Sequence, residues 1–327
     1  MQTQGRSNDQ DAPLELQVGA QAPAHAPLAR FRFSGDDVQP GDLVTDQAWL
    51  GGDFTAEYWD GGPGVQRGEE AGLAWSATDR LLMLTVAVDN HGDADPADAS
   101  HDCYEHMVAF ARAAGYPFLL RVWNYLPQIN RGSGDDERYR RFCLGRQLAL
   151  EKAGVAESEL CAATGIGTYG ERILIHFLAG RTRGVPVENP RQVAAYRYPR
   201  IYGPRSPSFA RAMAVPLEGG GHGLFVSGTA SIVGHETIHP GSLMPQLDET
   251  MANLEALLGE SARRLDAPEL AGFNRDSLLR VYLRDASQWE RVAERIRATW
   301  PEARLAGLEA EICRDDLMVE IEAWHRV

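Results

Sequence analysis

The sequence predicts an α+β protein of two packed lobes. Three observations point there. From residue 81 onward, short strand-like runs alternate with helical patterns. After a connector near residue 205, the segments fall into an orderly ββαβαββ series. The composition, 44% hydrophobic and 24% charged over 327 residues, is that of a globular chain long enough for two ordinary domains.

Residues 1–27 are rich in Gln, Asp, Ala and Pro and lack an apolar h-region, so they are expected to form a disordered tail and not a signal peptide. Residues 28–205 are expected to form an N-terminal α/β domain. There "LLMLTVAV" (Leu81–Val88) and "FLLRVWNYL" (Phe118–Leu126) read as buried strands around the helix "ASHDCYEHMVAFARAAG". A polar turn leads into a second helix, "DERYRRFCLGRQLALEKAG", with Asp135 or Asp136 as its N-cap. "RILIHFLAG" and "VAAYRYP" read as further strands.

The connector "YGPRSPS" separates residues 206–327. There "FARAMAVPL" and "GLFVSGTASIVG" read as strands, and "LMPQLDETMANLEALLGESARRL" as a helix with Leu243, Leu247, Leu254 and Leu258 near one stripe. "LLRVYLRD", "ASQWERVAERIRATW", "RLAGLEAEI" and "DLMVEIEAW" complete the series as strand, helix, strand and strand. That order implies a mixed sheet with helices on one face.

The net charge of −14 argues against nucleic acid or an anionic membrane as partner. An anionic ligand would need a local cluster of arginines. Cys103, Cys143, Cys161 and Cys313 show no CxxC pair or metal-ligand spacing, which suits reduced thiols in the cytoplasm. No apolar run approaches the roughly 20 residues of a membrane span.

Two motifs match by letter and not by context. "HETIH" (His235–His239) fits HExxH, but Gly234 precedes it and Pro240 pushes His239 out of the helical region, so the two histidines cannot share a helix face. "GIGTYG" (Gly165, Gly167, Gly170) fits GxGxxG, yet "ERILIHFLAG" follows it, so a glycine-rich turn entering a strand is expected. No metal or cofactor is expected.

The residues that could carry chemistry lie elsewhere. In "DLMVEIEAW", alternation puts Leu317, Val319, Ile321 and Ala323 on one face and Met318, Glu320, Glu322 and Trp324 on the other. The acids are then either solvated decoration or, for Glu320, a desolvated carboxyl held neutral as a general acid. In the second helix, Tyr139 and Arg146 share a face with Phe142 and Cys143 between them. Arg146 there either snorkels to solvent or points at an anion. "RIYGPRSPSFARA" supplies Tyr202 and Arg211, and Gly228 inside a strand suggests a bulge or a close ligand approach.

The blocks "RVWNYLPQIN", "ERYRRFCLGRQLA", "ENPRQVAAYRYP", "YGPRSPSFARA", "FVSGTASIVGHE" and "CRDDLMVEIE" together resemble the chorismatases, which split chorismate into pyruvate and a hydroxylated six-membered ring. The last 120 or so residues also resemble Rid (YjgF)-type enamine deaminases through "FVSGTAS" and "VEIEA". The resemblance implies a Rid-like C-terminal lobe and a site in the interlobe cleft. It makes Glu320 the acid that protonates the enolpyruvyl methylene, and Tyr139, Arg146, Tyr202 and Arg211 the holders of the substrate carboxylates. Gly228 and Cys313 occupy the positions that sort subtypes, and that pair resembles the 3-hydroxybenzoate-forming type. A branch giving 4-hydroxybenzoate as well stays open. The rivals are a chorismate hydrolase releasing a dihydroxycyclohexadiene, and a Rid-like deaminase or binding module; for the latter, Arg304 stands out of register with the arginine that Rid enzymes use. The implied protein is a cytoplasmic lyase of secondary metabolism, a monomer or small homo-oligomer whose partner is the small molecule chorismate.

Overall fold

The computed structural model describes residues 10, 12–35, 37, 39, 41–90 and 94–327. The chain begins with short strands: β1 (Gln17–Gly19), β2 (Ala29–Arg32), β3 (Asp42–Val44), β4 (Ala48–Gly52) and β5 (Ala56–Asp60). Of these, β1, β5, β2 and β3 pair in that order as a small sheet. The expected tail is corrected here. Residues 1–9 and 11 lie outside the described residues, but Leu14, Leu16 and Val18 are buried and Leu14 N donates to Pro216 O at 2.8 Å. Three apolar side chains at alternating positions gain more from burial than a polar tail would.

The first large sheet contains β6 (Gln66–Glu70), β7 (Leu73–Ala77), β8 (Leu81–Asp89), β9 (Phe118–Pro127), β10 (Ala162–Thr168) and β11 (Arg172–Gly180), in the order β10-β9-β11-β8-β7-β6. Between them run α1 (Pro96–Ala113) and α2 (Arg138–Lys152). Asp95 caps α1 by accepting from Ala97 N at 2.9 Å, with Pro96 opening the helix. The helices cross closely because Gly145 has no side chain; a Cβ there would overlap Ala97 O and Ser100 Oγ. That crossing fixes the roll of α2, and with it the aim of Tyr139.

Two expectations in this lobe need correction. Asp135 and Asp136 lie in a 3-10 turn ahead of α2, where Asp135 pairs with Arg200 at 2.6 Å, and the N-cap position falls to Glu137, whose carboxylate accepts from Arg140 instead. "VAAYRYP" is not a strand. Arg197 N and Tyr198 N bond back to Ala194 O and Ala195 O in a 3-10 turn, because Pro199 has no N–H for a ladder.

The second large sheet joins β12 (Val185–Val187), β13 (Ala212–Pro216), β14 (His222–Ala230), β17 (Leu278–Leu283), β18 (Arg304–Glu309) and β19 (Val319–Arg326), with β4 at its edge, in the order β12-β13-β14-β19-β17-β18-β4. A two-stranded hairpin, β15 (Ile232–Val233) with β16 (Glu236–Thr237), follows β14. From β13 onward the order is the expected ββαβαββ, with α3 (Leu243–Leu265) and α4 (Trp289–Thr299) as the helices. Strands β17 and β18 run parallel across α4, and the other pairs are antiparallel. Both β4 and β12 come from before residue 205 and complete this sheet from the other side of the expected boundary.

Each face of the second sheet has its own core. Leu247, Leu254, Leu258, Val292 and Ile296 of the helices pack with Val319, Ile321 and Ala323 of β19. The opposite face of β19 turns toward the first lobe, where Trp324 joins Trp59, Trp123 and Phe225. The lobes meet along a seam between β10 and β14. Ala163 N donates to Ser227 Oγ at 2.9 Å, and Ala210 N donates to Cys161 O at 2.9 Å.

Candidate active site

Strand parity decides the position of Glu320. Val319 and Ile321 must face the helices, so Glu320 and Glu322 face the seam. Both are buried there, at 4% and 3% exposure, so the solvated reading of these acids does not hold. Opposite Glu320, β14 carries a bulge: the register with β19 slips between Val226 and Thr229. Gly228 sits in that bulge, and a Cβ there would overlap Glu320 Oε1. The glycine is what leaves space for the acid.

Around these two groups lies a cavity of about 300 Å³. Its walls include Tyr139 from α2, Tyr198, Tyr202, Phe209 and Arg211 from the segment before β13, Gly228 and Ala230 from β14, and Cys313, Arg314 and Glu320 from the chain's end. Six of the seven residues named from the sequence thus converge: Glu320, Cys313, Gly228, Tyr139, Tyr202 and Arg211. The seventh does not. Arg146 is only 2% exposed and stands behind the wall, with its guanidinium over the Phe142 ring at 5.5 Å and 3.9 Å from Cys143 Sγ. The stripe it shares with Phe142 and Cys143 packs inward toward α1, where the Phe142 ring meets Tyr104 edge-on at 6.2 Å, so it neither snorkels nor reaches the cavity.

Burial sets the chemistry of the acid. Desolvation, reinforced by the neighbouring Glu322 carboxylate, pushes the Glu320 carboxyl up to about 8, against the partial counterweight of Arg121 and Arg211. It is therefore neutral at pH 7. Burial, and then the nearby Glu320, also raise the Cys313 thiol, which lies 3.9 Å from Glu320 Oε2 and stays protonated. Tyr139 is likewise raised by burial and stays a phenol.

Of the cations in the wall, Arg140 pairs with the Glu137 carboxylate at 2.9 Å, while Arg211 and Arg314 are held by neutral partners. Arg211 Nη2 donates to Tyr198 OH at 2.7 Å and to Val193 O at 3.0 Å. Arg314 lies 4.0 Å over the Tyr202 ring and donates to Thr237 Oγ1 at 3.1 Å. Tyr202 OH pairs with His235 Nδ1 at 3.2 Å. Sequence reasoning missed Arg314, Tyr198 and Phe209. Arg314 adjoins Cys313, and that adjacency was the available signal; Tyr198 was obscured by the strand expected over "VAAYRYP".

The two misleading motifs have structural explanations. "HETIH" covers β16, the second strand of the hairpin, and the residues on either side of it, with His239 at a φ of 57°, so its histidines share no helix face. Gly165 and Gly167 lie inside β10, and the turn comes only at 169–171. They let the Tyr139 ring and the backbone at Glu311 approach that strand, and Gly167 N donates to Glu311 O at 2.8 Å. Among the described residues, no three His, Cys, Asp or Glu side chains are grouped to hold a metal, and no helix is long and apolar enough to cross a membrane.

A protein named chorismatase from Streptomyces hygroscopicus is 38% identical to this chain over 274 residues, spanning 81% of it and 78% of the relative. The chain belongs to the chorismatase family. A second Streptomyces hygroscopicus relative of this family, named 3-hydroxybenzoate synthase, is 37% identical over 82% of this chain and 80% of its own. The family model for the N-terminal region of FkbO/Hyg5-like chorismatases matches residues 57–179. A crystal structure of a chorismatase superposes with a TM-score of 0.80 at 32% identity, covering 96% of this chain and 99% of that one. The chorismatase fold thus embraces both lobes and the seam that holds the cavity.

Proposed function

We propose that the chain cleaves chorismate to pyruvate and 3-hydroxybenzoate, with Glu320 as the proton donor. The observation that carries this reading is a buried, neutral carboxyl facing an arginine-walled cavity of about 300 Å³, at the small end of the range for ligand pockets. Chorismate is a dianion with a vinyl ether. Protonating the terminal methylene gives an oxocarbenium-like centre, and loss of the pyruvyl group leaves a ring that gains aromaticity. Pyruvate and a hydroxybenzoate together contain the atoms of chorismate with no water added, so that outcome needs no water at the buried acid; the diol route consumes one water.

In this reading Glu320 gives its proton to the methylene. Arg211 and Arg314 hold the carboxylates, which guanidinium forks grip in bidentate fashion. Tyr139 and Tyr202 line the ring's position and donate hydrogen bonds. Gly228 and Cys313 shape the space at the leaving oxygen. Arg146 contributes only its charge, from behind the wall. Four free thiols suit a reducing cytoplasm.

Incubation with chorismate, with pyruvate and the ring products resolved chromatographically, tests the reading. Pyruvate with 3-hydroxybenzoate is expected, any 4-hydroxybenzoate being quantified beside it, and Glu320→Gln should abolish both products while still binding substrate. Release of the diol alone would make the chain a hydrolase. Untouched chorismate with ammonia released from imines would make it a deaminase.

A further inference from the structure

Behind the floor of the cavity lies a buried charge network whose charged residues do not line it. Arg121 on β9 donates from Nη2 to Glu322 Oε2 at 2.7 Å and to Thr164 Oγ1 at 2.6 Å. Glu322 Oε1 accepts from Trp123 Nε1 at 3.0 Å and lies 3.0 Å from Arg280 Nη1. Arg280 is in turn clamped to Glu57 through contacts of 2.8 and 2.5 Å. At the other end, Thr164 Oγ1 accepts from Gly228 N at 3.1 Å. A continuous chain of polar contacts therefore runs from β5 through β17, β19 and β9 to β10, and stops at the bulge facing Glu320.

We propose that Arg121 and Glu322 are positioning residues for the reaction, acting on Glu320 from outside the cavity through their opposed charges and through the Thr164 link to the Gly228 bulge. The inference rests on Glu320 being the acid. Alternation puts Glu322 on the same face of β19 as Glu320, about 7 Å along the strand, and Arg121 answers it from the opposite lobe. Glu322 opposes ionisation of Glu320 and Arg121 favours it. The other groups about Glu320 are Arg211 before β13, Cys313 before β19, Tyr139 on α2 and Tyr282, its neighbour on β17. Of all these, Arg121 and Glu322 alone form an ion pair with each other, bridging the seam. The pair holds the lobes in the register that brings the acid to the bulge, and a charge so placed acts through a medium of low dielectric.

The test is the pH profile of kcat/KM on chorismate in the full chain, for Glu322→Gln and Arg121→Met. The alkaline limb should move to lower pH in the first and to higher pH in the second, because the two charges act in opposite senses on the same proton. Packing damage would lower the rate without moving the limbs apart. Limbs that stay at the parent's pH, or move in the same sense, overturn the proposal. Should a single variant fail to fold, Arg121→Met/Glu322→Gln removes both charges together. That variant should lose roughly tenfold or more in kcat with little change in KM, and a parent-like kcat overturns the proposal. Glu320→Gln separates the two readings. If it keeps its turnover, the acid assignment fails; if it is dead while the limbs do not separate, only the positioning role fails.

Discussion

Replacing Glu320 by Gln should stabilise the protein while it stops the reaction, and the gain should follow pH in one particular way. In the unfolded chain this glutamate ionises near 4.5; in the folded protein it holds its proton to about 8. Between those values the folded state binds one proton more than the unfolded state, so stability falls as pH rises. The carboxyl's contribution is fully present below pH 4.5 and is lost as pH climbs through 8. Each unit in that window removes about 1.4 kcal/mol. By pH 7 the parent has therefore given up roughly 3 kcal/mol, and above pH 8 the loss levels off near roughly 5 kcal/mol. Gln keeps the shape and cannot ionise, so the variant escapes the whole of that loss.

The measurement is the difference in thermal midpoint between Glu320→Gln and the parent from pH 5 to 9, at one scan rate. For a chain of this size, 3 kcal/mol corresponds to about 4 °C. The gap should widen steadily to pH 8 and then stay constant. Glu188, pushed up to about 7 by its own burial, titrates alike in both proteins and cancels in the difference. A gap that does not change with pH would refute the reasoning, because the buried carboxyl would then ionise no differently from a free one. The same flat gap is expected if Arg121 and Arg211 outweigh desolvation, because a carboxyl held below 4.5 is ionised in both states throughout pH 5 to 9. Either cause removes the proton donor from the proposed mechanism. The alkaline limb of kcat/KM, expected near the same pH, reads the same proton independently.

Two further substitutions follow from the geometry. Gly228 does not occupy the left-handed region, so Gly228→Ala should fold normally while its methyl displaces the Glu320 carboxyl; turnover should fall roughly 100-fold, with the remaining product shifted toward the diol, and a parent-like rate with unaltered products would show that the acid does not react from this position. Arg146 makes no ion pair among the described residues, so Arg146→Met should raise stability by about 1–4 kcal/mol, as replacing buried charge often does, while lowering kcat/KM; chemical denaturation beside steady-state kinetics checks both, and a destabilised variant would show that the guanidinium is structurally compensated after all.

The second lobe was legible in the sequence because its signals are local. The 23-residue helix Leu243–Leu265 shows its apolar stripe without reference to anything else, and the parity of β19 follows from Val319, Ile321 and Ala323, although Leu317, expected on the same face, precedes the strand and packs in the other core. Parity gave the face of Glu320 but not its depth. Whether that face meets water or another lobe depends on Thr164, Arg121 and Trp123, more than 150 residues away. The strands between residues 17 and 77 run only three to five residues each, too short for a periodicity to be read. Arg146 was misplaced because spacing along a helix says which residues share a face, not what that face packs against. "VAAYRYP" misled because its aromatic residues are spaced as in a strand, although Tyr198 serves the cavity wall.

The buried charges along the seam explain why the ligand should be a dianion. Arg121 and Arg280 are matched there by Glu322 and Glu57. Arg211 and Arg146 are matched by no carboxylate within ion-pair distance among the described residues, and Arg211 keeps its charge at the cavity through the Tyr198 hydroxyl and a carbonyl. With Glu320 neutral, two buried guanidiniums are left uncompensated in a chain whose overall charge is −14. Buried cations without partners are destabilising by several kcal/mol, and an acidic protein could have matched them with its own carboxylates. Arg211 faces the cavity beside Arg314, and Arg146 adds its charge from behind the wall, so positive potential is kept for an incoming ligand. A substrate with two carboxylates pairs with Arg211 and Arg314, and in doing so raises the tendency of Glu320 to stay protonated until the vinyl ether takes its proton. The same arrangement disfavours neutral imines, which bring no charge to offset the arginines.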